Sequence, residues 1–241
     1  MTPAIEFVAV RFAIGGRSIV GPLDFEVRRG ETLVFLGESG SGKTTSLRLV
    51  NRLLVPTGGE VRVDGRSTGA WDPVRLRRSM GYVIQHVGLL PHLTVSGNVG
   101  LVPALEHWPA ERIRQRVVEL LTLVGLPAGE FGARHPHELS GGQRQRVGVA
   151  RALAADPPVL LCDEPFGALD ARNRAVLQRE FRNLVRRLDK TVVFVTHDIN
   201  EARLLASRIA VFDGGRVTFI GTPAAFDATD DPASRALQDP A

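Results

Sequence analysis

Three continuous apolar runs mark the innermost strands of the predicted fold. They are Thr32–Leu36, Val159–Cys162 and Thr191–Thr196, and each is bounded by polar or glycine-rich sequence. A run without polar alternation is typical of a strand that is buried on both faces of a parallel sheet. The three runs therefore predict a parallel sheet of the α/β class.

Shorter segments alternate or end in turn residues, which predicts peripheral strands. In residues 59–66 apolar and polar positions alternate up to Asp64-Gly65, as in a half-buried edge or hairpin strand. Further strands are predicted at Ile5–Phe12, Leu23–Val27, Met80–Gln85 and Arg208–Phe219, the last interrupted by Asp213-Gly214-Gly215 and followed by a small polar tail.

Helical periodicity appears in three stretches. The first is Ser46–Leu54, which stops before Pro56, and the last is Arg144–Ala154. Residues 94–154 are dominated by this pattern, and Pro127 and Pro136 interrupt it. In Ala110–Val124 the apolar side chains that share one helix face are Ile113, Val117, Leu120, Leu121 and Val124.

A glycine-rich segment joins the first apolar run to the first helix. It reads Gly37-Glu38-Ser39-Gly40-Ser41-Gly42-Lys43-Thr44-Thr45. Between a strand and a helix this spacing predicts a phosphate-binding loop, with Lys43 on the β- and γ-phosphates and the Thr44 hydroxyl on Mg²⁺. The alternative is a flexible turn with a stray lysine. Lysine occurs only here and at Lys190, although the chain is rich in arginine, which favours the phosphate loop.

A second helix start also has the features of an anion site. Leu139-Ser140-Gly141-Gly142-Gln143 places a good N-cap, Ser140, before a glycine pair whose N–H groups open the helix. Taken alone, this is an ordinary helix cap. Its presence beside a phosphate loop in one chain favours the functional interpretation.

Polar side chains follow the other predicted inner strands. Asp163 and Glu164 end one apolar run, and His197 follows another. The carboxyl ends of parallel strands face the ligand crevice, so Asp163 suits Mg²⁺ held through water and Glu164 suits activation of a water molecule. His197 suits a hydrogen bond to a γ-phosphate. The alternative is an acidic strand end that faces solvent. Gln85, after its own strand, is weak evidence for a contact with a metal-bound water.

Five other residues are interpreted from their immediate context. Phe12 precedes the loop in a chain with 6% aromatic residues; it suits either a base-stacking surface or, as we favour from the residues alone, strand-end packing. His92, His107, His135 and His137 lack acidic or cysteine neighbours at ligand spacing. We predict surface or hinge positions for them and no metal site.

Composition and charge bear on the binding partners and the location of the protein. The net charge is +4, but the basic residues are spread along the chain, so nucleic-acid binding is not expected. The single Cys162 excludes an internal disulfide and fits a reducing compartment. No run reaches the ~20 apolar residues of a membrane span, and no signal-peptide pattern begins the chain. We therefore expect a cytoplasmic protein that reaches the membrane only through a partner.

Taken together, these motifs resemble the ATP-binding subunit of ATP-binding cassette (ABC) transporters over nearly the whole chain. Leu139–Gln143 is similar to that family's signature sequence, and the order of Phe12, the loop, Gln85, the signature and the strand-end acids matches as well. The resemblance implies adenine stacking by Phe12, so it reverses the interpretation from the residues alone.

The resemblance assigns a role to each candidate residue. The implied catalytic residues are Glu164, His197 and Gln85. The implied Mg²⁺ ligands are Thr44, Gln85 and Asp163. ATP is expected to contact Phe12, the loop residues Gly37 to Thr45, the signature Ser140, Gly141, Gly142 and Gln143, and Asp170 in Ala168-Leu169-Asp170. In the family two chains pair head to tail, so that one chain's signature closes on the ATP held by the other.

The implied fold is a P-loop NTPase (RecA-like) core with an N-terminal antiparallel β subdomain and an inserted α-helical subdomain. We expect a single ATPase domain over 1–241. Residues 1–90 and 155–230 would form the core with the β subdomain, 91–154 the helical signature subdomain and 231–241 a short tail.

Some stretches resemble the osmoprotectant importer branch, which takes up glycine betaine, choline or carnitine. They are Val50–Thr57 and Gly81–His92, while Glu164–Asp170 looks more like importers than exporters. The implied partners are membrane permease subunits, reached near Gln85–Leu105, and indirectly a substrate-binding protein. The implied location is the cytoplasmic face of the inner membrane. Many members of this branch carry paired regulatory modules after the ATPase, and we expect none in a chain that ends at Ala241.

Other functions remain open at the sequence level. An importer for another solute and a lipid or drug exporter share the same motifs. A DNA-repair or chromosome-structuring ATPase normally has a coiled-coil or zinc insertion, and a translation-factor ATPase normally has two cassettes. Neither feature is present in this sequence.

Overall fold

The computed structural model describes residues 2–85, 88–167 and 171–238. The chain divides into two compact units. The first comprises Met1–Arg77 together with Val185–Ala241, and the second is Arg78–Leu184.

The first unit contains two groups of strands. An antiparallel sheet has the order β2-β1-β4-β5, formed by β1 (Ile5–Ile14), β2 (Arg17–Val27), β4 (Gly58–Val63) and β5 (Arg66–Ser67). The other group has the order β10-β9-β3-β8, with β3 (Thr32–Leu36) parallel to β8 (Thr191–Thr196) and β9 (Arg208–Asp213), and β10 (Arg216–Gly221) antiparallel to β9.

An aromatic cluster packs the antiparallel sheet against the parallel strands of this unit. Phe7 stacks on Phe25 with ring centroids 4.4 Å apart, and Phe35 of β3 meets Phe212 of β9 at 4.7 Å. Both Phe7 and Phe25 also contact Phe35 edge-on. Every residue of β3 and β8 is buried, as their continuous apolar sequences predict.

Among the described residues, five α-helices belong wholly or mainly to the first unit. They are α1 (Lys43–Val50), α2 (Pro73–Arg78), α8 (Ile199–Leu205), α9 (Pro223–Asp227) and α10 (Pro232–Gln238).

The second unit is mostly helical around two parallel strands. Strand β6 (Met80–Val83) pairs with β7 (Val159–Asp163). The helices are α3 (Val95–Leu105), α4 (Ala110–Leu123), α5 (Ala128–Phe131), α6 (Gly141–Leu153) and α7 (Ala171–Arg187), whose last residues pass into the first unit. The face of α4 predicted from periodicity buries Val117, Leu120 and Leu121.

Two elements end earlier in the structure than the sequence pattern predicts. Helix α1 ends at Val50 rather than Leu54, because Arg52 adopts a left-handed φ of 55° and the N–H groups of Leu53 and Leu54 turn back to the Arg48 carbonyl. Strand β6 ends at Val83, so Gln85 lies in the following turn.

The polar tail predicted after Phe219 is also wrong for the described residues. Thr222 caps α9 through the Ala225 N–H, Phe226 is fully buried, and α10 occupies most of the segment 231–241. The predicted α/β architecture with an antiparallel subdomain is confirmed, while the boundaries 1–90, 91–154 and 155–230 stay a prediction.

Candidate functional site

The phosphate-loop candidate and His197 leave the same edge of the sheet. Leu36, the last residue of β3, pairs in parallel register with Thr196, the last residue of β8. Gly37 and His197 are the next residues of the two strands. Because parallel neighbours end side by side, the exposed His197 imidazole belongs at the edge where the loop begins.

The loop is bent by glycines with positive φ. Gly37, Gly40 and Gly42 have φ values of 154°, 84° and 100°. The Ser41 N–H donates to the Glu38 carbonyl at 3.2 Å, which closes the turn, and Gly42 is the N-cap of α1. The loop thus delivers the helix at Lys43, with the first-turn N–H groups and the positive end of the helix dipole at the sheet edge.

Lys43 is the central cation of this loop. Its Nζ donates to the carbonyls of Gly37 at 2.7 Å and Glu38 at 2.6 Å, and to the Ser41 hydroxyl at 3.3 Å. The residue is only 4% exposed, so the ammonium group is held against the loop. Glu38, Ser39 and Gly40 are exposed, and Thr44 and Thr45 of the first helical turn are half-buried.

Substitution of Gly37 tests how tightly this bend is packed. A Cβ at this position would lie 2.2 Å from the Phe212 carbonyl oxygen. We expect Gly37→Ala to lower the free energy of unfolding by about 2 kcal/mol or more, measured by urea denaturation. Gly129→Ala is the matched control, because a Cβ there meets open space. Equal stabilities of the two variants would contradict the packing argument.

In the second unit, the acidic residues and Gln85 follow neighbouring strands. Val83 of β6 pairs with Cys162 of β7, so Gln85 and Asp163-Glu164 leave the same edge of this strand pair. The point where a Gly167 Cβ would lie is 3.6 Å from Gln85 Nε2 and 3.7 Å from Glu164 Oε2. The structure therefore brings the amide and the carboxylate to the same side of Gly167.

The two carboxylates differ in their surroundings. Asp163 is 6% exposed, and the Tyr82 hydroxyl lies 3.3 Å from its Oδ2 and donates to it. Glu164 is half-buried and has a φ of 44°, a left-handed conformation that is uncommon outside glycine and asparagine. Asp163 is thus held by a neighbouring side chain, and Glu164 lies at a backbone bend directly after the strand.

The signature candidate forms a capped helix start, as predicted. The Ser140 hydroxyl accepts from the Gln143 N–H at 3.2 Å, and the Gln143 side chain accepts from the Ser140 N–H at 2.9 Å. This reciprocal capping box fixes the first turn of α6, in which Gly141 is exposed and Gly142 half-buried. Arg144 donates to the Leu139 carbonyl at 2.6 Å and secures the preceding residue.

The remaining candidates have mixed outcomes. Phe12 lies on β1 and is 8% exposed, which agrees with strand packing; its role in adenine stacking stays a prediction. Asp170 lies outside the described residues, as do His86 and Val87 of the importer-like stretch. The surface positions predicted for His92, His107 and His137 are confirmed, and His135 is half-buried against the His137 ring.

The donors proposed for Mg²⁺ suit that ion chemically. Thr44, Gln85 and Asp163 offer hydroxyl, amide and carboxylate oxygens, which hard cations prefer. No group of three or more His, Cys, Asp or Glu side chains placed to hold a metal occurs in the described part of the chain. Mg²⁺ commonly takes one or two protein carboxylates and completes its shell with water and phosphate oxygens.

Two contributors to these sites were missed from the sequence. Tyr82 contacts Asp163 across two strands, and only the strand register places them together. Glu201 contacts Thr196 beside His197, and here a signal was present. Asp198 and Glu201 have the spacing of a helix cap with an acidic residue three positions later, which predicts a helix starting directly after His197.

Comparison with known proteins identifies the family and several relatives of this chain. The model of the ABC transporter family matches residues 20–167. The glycine betaine/carnitine/choline transport ATP-binding protein OpuCA of Bacillus subtilis is 51% identical over 209 residues, which cover 87% of this chain and 55% of that protein. The chain thus spans about half the length of this relative. The glycine betaine uptake system ATP-binding protein YehX of Escherichia coli is 48% identical, covering 91% of this chain and 71% of that protein.

A solved structure agrees with the fold. The dimeric post-hydrolysis state of the ATP-binding cassette MJ0796, bound to ADP and Pi, superposes with a TM-score of 0.80 at 35% identity. The alignment covers 91% of this chain and 98% of that one. None of the helices in the residues with described structure is long and apolar enough to cross a membrane.

Proposed function

The chain belongs to the ABC transporter family, and from this premise we propose that it hydrolyses ATP to drive solute movement through a separate membrane permease. The observation that carries the proposal is the phosphate loop with Lys43, delivered to the same sheet edge as His197. A site of this design binds a nucleoside triphosphate by its phosphates.

In this proposal, different residues of the chain bind the phosphates, hold Mg²⁺ and activate the attacking water. Lys43 and the first-turn N–H groups of α1 hold the β- and γ-phosphates. Thr44, Gln85 and Asp163 would hold Mg²⁺, which neutralises charge on the phosphate oxygens when bound. Glu164 accepts a proton from the attacking water, and His197 donates a hydrogen bond to the γ-phosphate.

The signature helix would serve a second copy of the chain. The start of α6 is capped and suits an anion; its residues are Ser140, Gly141, Gly142 and Gln143. Because the same chain also has a phosphate loop, it carries two anion sites. In a head-to-tail dimer each ATP contacts the loop of one chain and the signature of the other. Each chain contributes one loop and one signature, so the dimer contains two complete ATP sites. The dimeric arrangement of the cassette MJ0796 supports this proposal.

Mixing two inactive variants tests the shared site. We expect neither Lys43→Ala nor Ser140→Arg to hydrolyse ATP alone. An equal mixture should recover about a quarter of wild-type activity, because half of randomly formed dimers are mixed and each contains one intact site. The measurement is phosphate release at saturating ATP.

A double variant provides the matched control for that mixture. Lys43→Ala mixed with a chain carrying both Lys43→Ala and Ser140→Arg can complete no site, so it should stay inactive. If the first mixture forms mixed dimers by mass spectrometry yet remains inactive, the shared-site proposal is wrong.

The transported solute is proposed from the named relatives together with the importer-like stretches of the sequence. OpuCA and YehX act in systems for glycine betaine or related solutes, and both are about half identical to this chain. We propose quaternary-amine osmoprotectants as the solutes, with the chain at the cytoplasmic face of the inner membrane beside its permease and, indirectly, a substrate-binding protein. Copurification with the permease and loss of glycine betaine uptake in a deletion strain test this; unchanged uptake in that strain counts against it.

A further inference from the structure

We propose that Glu201 is a positioning residue that, through Thr196, fixes the turn carrying His197 at the phosphate-loop edge. The inference rests on the proposed function only in assigning His197 to the γ-phosphate. The arrangement itself lies within the first compact unit, between the end of β8 and the first turn of α8.

The hydrogen bonds of Thr196 define the direction of its hydroxyl proton. Thr196 Oγ1 accepts from the Asp198 N–H at 3.0 Å. It also lies 2.5 Å from Glu201 Oε2, a distance typical of a hydroxyl that donates to a carboxylate. A threonine hydroxyl has one proton, so that proton points at Glu201 while the oxygen holds the backbone of Asp198.

The two side chains that form this hydrogen bond are buried. Thr196 is 2% exposed and Glu201 is 4% exposed. A carboxylate removed from water is costly unless hydrogen bonds compensate it, and the threonine hydroxyl supplies one such bond. The position of Glu201 in the first turn of α8 adds the favourable field of the helix N-terminus.

The other end of the turn is fixed as well. Asp198 Oδ1 accepts from the N–H groups of Asn200 at 2.7 Å and Glu201 at 3.3 Å, which caps α8. The residues on both sides of His197 are therefore held by hydrogen bonds, while the imidazole itself is exposed. The network therefore fixes the backbone of the turn that carries His197.

The sheet register connects this turn to the loop. Thr196 pairs with Leu36, the residue directly before Gly37. A change in the turn therefore alters where the imidazole lies relative to the loop, without touching Lys43 or the glycines. This predicts slower hydrolysis with little change in ATP affinity.

Two substitutions remove the network from opposite ends. We expect Thr196→Val, which keeps the shape but removes the hydroxyl, and Glu201→Leu, which removes the acceptor oxygens, to lower kcat about tenfold or more, since a small misplacement of a reacting group slows turnover strongly. The KM for ATP should stay within about twofold of wild type because the loop is unchanged. Thr196→Ser keeps the hydroxyl and should restore most of the turnover.

A double-variant comparison separates positioning from general destabilisation. In a His197→Ala background, Thr196→Val should cause no further loss of kcat, because the group it positions is already absent. Asn200→Ala is the matched control, since Asn200 contributes its backbone N–H to the network. A full tenfold loss in the His197→Ala background would overturn the inference.

A readout that needs no ATP hydrolysis keeps this inference distinct from the proposed function. In the ligand-free protein, Thr196→Val and Glu201→Leu should shift the NMR signals of the His197 ring while those of His92 and His107 stay in place. Unchanged His197 signals would overturn the positioning role even if the protein is an ATPase. Shifted signals in a protein without ATPase activity would support the positioning and refute the proposed function.

Discussion

Glu164→Gln should reduce ATP hydrolysis by ~10²-fold or more while the protein still binds ATP and forms dimers. A positioned general base contributes acceleration of this scale, and glutamine keeps the side-chain shape but cannot accept the proton. Glu164 follows the buried strand β7, and its Oε2 lies beside Gly167 together with the Gln85 amide. The substitution therefore removes the base and leaves its surroundings in place.

The measurement combines steady-state phosphate release with equilibrium binding of ATP to the same preparation. Glu119→Gln is a matched control, because the exposed Glu119 carboxylate lies on α4 and pairs with Arg116 at the surface, where an ion pair contributes little. We expect wild-type rates for the control. Near-normal turnover in Glu164→Gln would exclude this carboxylate as the general base.

Lys43→Ala should act on an earlier step and weaken ATP binding itself. Hydrogen bonds to charged groups contribute about 1.5–3 kcal/mol, which corresponds to roughly 10- to 150-fold in the dissociation constant. The ammonium group also bridges the carbonyls of Gly37 and Glu38, so its loss removes a contact that shapes the loop. Both effects lower affinity for the phosphates.

Titration calorimetry with MgATP measures this change directly. Arg48→Ala is the control, because Arg48 is exposed in the last turn of the same helix and its removal also takes away one positive charge. Its affinity should remain within about threefold of wild type, as exposed charges act weakly. If Lys43→Ala binds ATP as tightly as this control, the loop is not the phosphate site.

The parts of the fold that were predictable are those that local sequence determines. Strands β3, β7 and β8 were located from apolar runs because burial on both faces leaves no alternation of apolar and polar positions. The end of α1 was misplaced because no glycine or proline marks it and Arg52 supplies the left-handed residue instead. The α9 and α10 helices were missed because each spans fewer than eight residues and shows too little periodicity.

The same distinction holds for the candidate site. The loop at 37–45 and the cap at Ser140 are contiguous in sequence, and their geometry follows from glycine spacing and side-chain chemistry. The approach of Tyr82 to Asp163 depends on strand pairing between segments 81 positions apart. Such a contact becomes visible only when the register of β6 and β7 is known.

The left-handed backbone of Glu164 has a consequence for engineering this protein. A non-glycine residue in that region costs of order 1–3 kcal/mol, which the surrounding structure must offset. Selection for thermal stability alone would therefore favour glycine or asparagine at this position. Such a selection would enrich more stable chains that have lost the proposed base, so a stability screen of this protein must retain turnover as a second criterion.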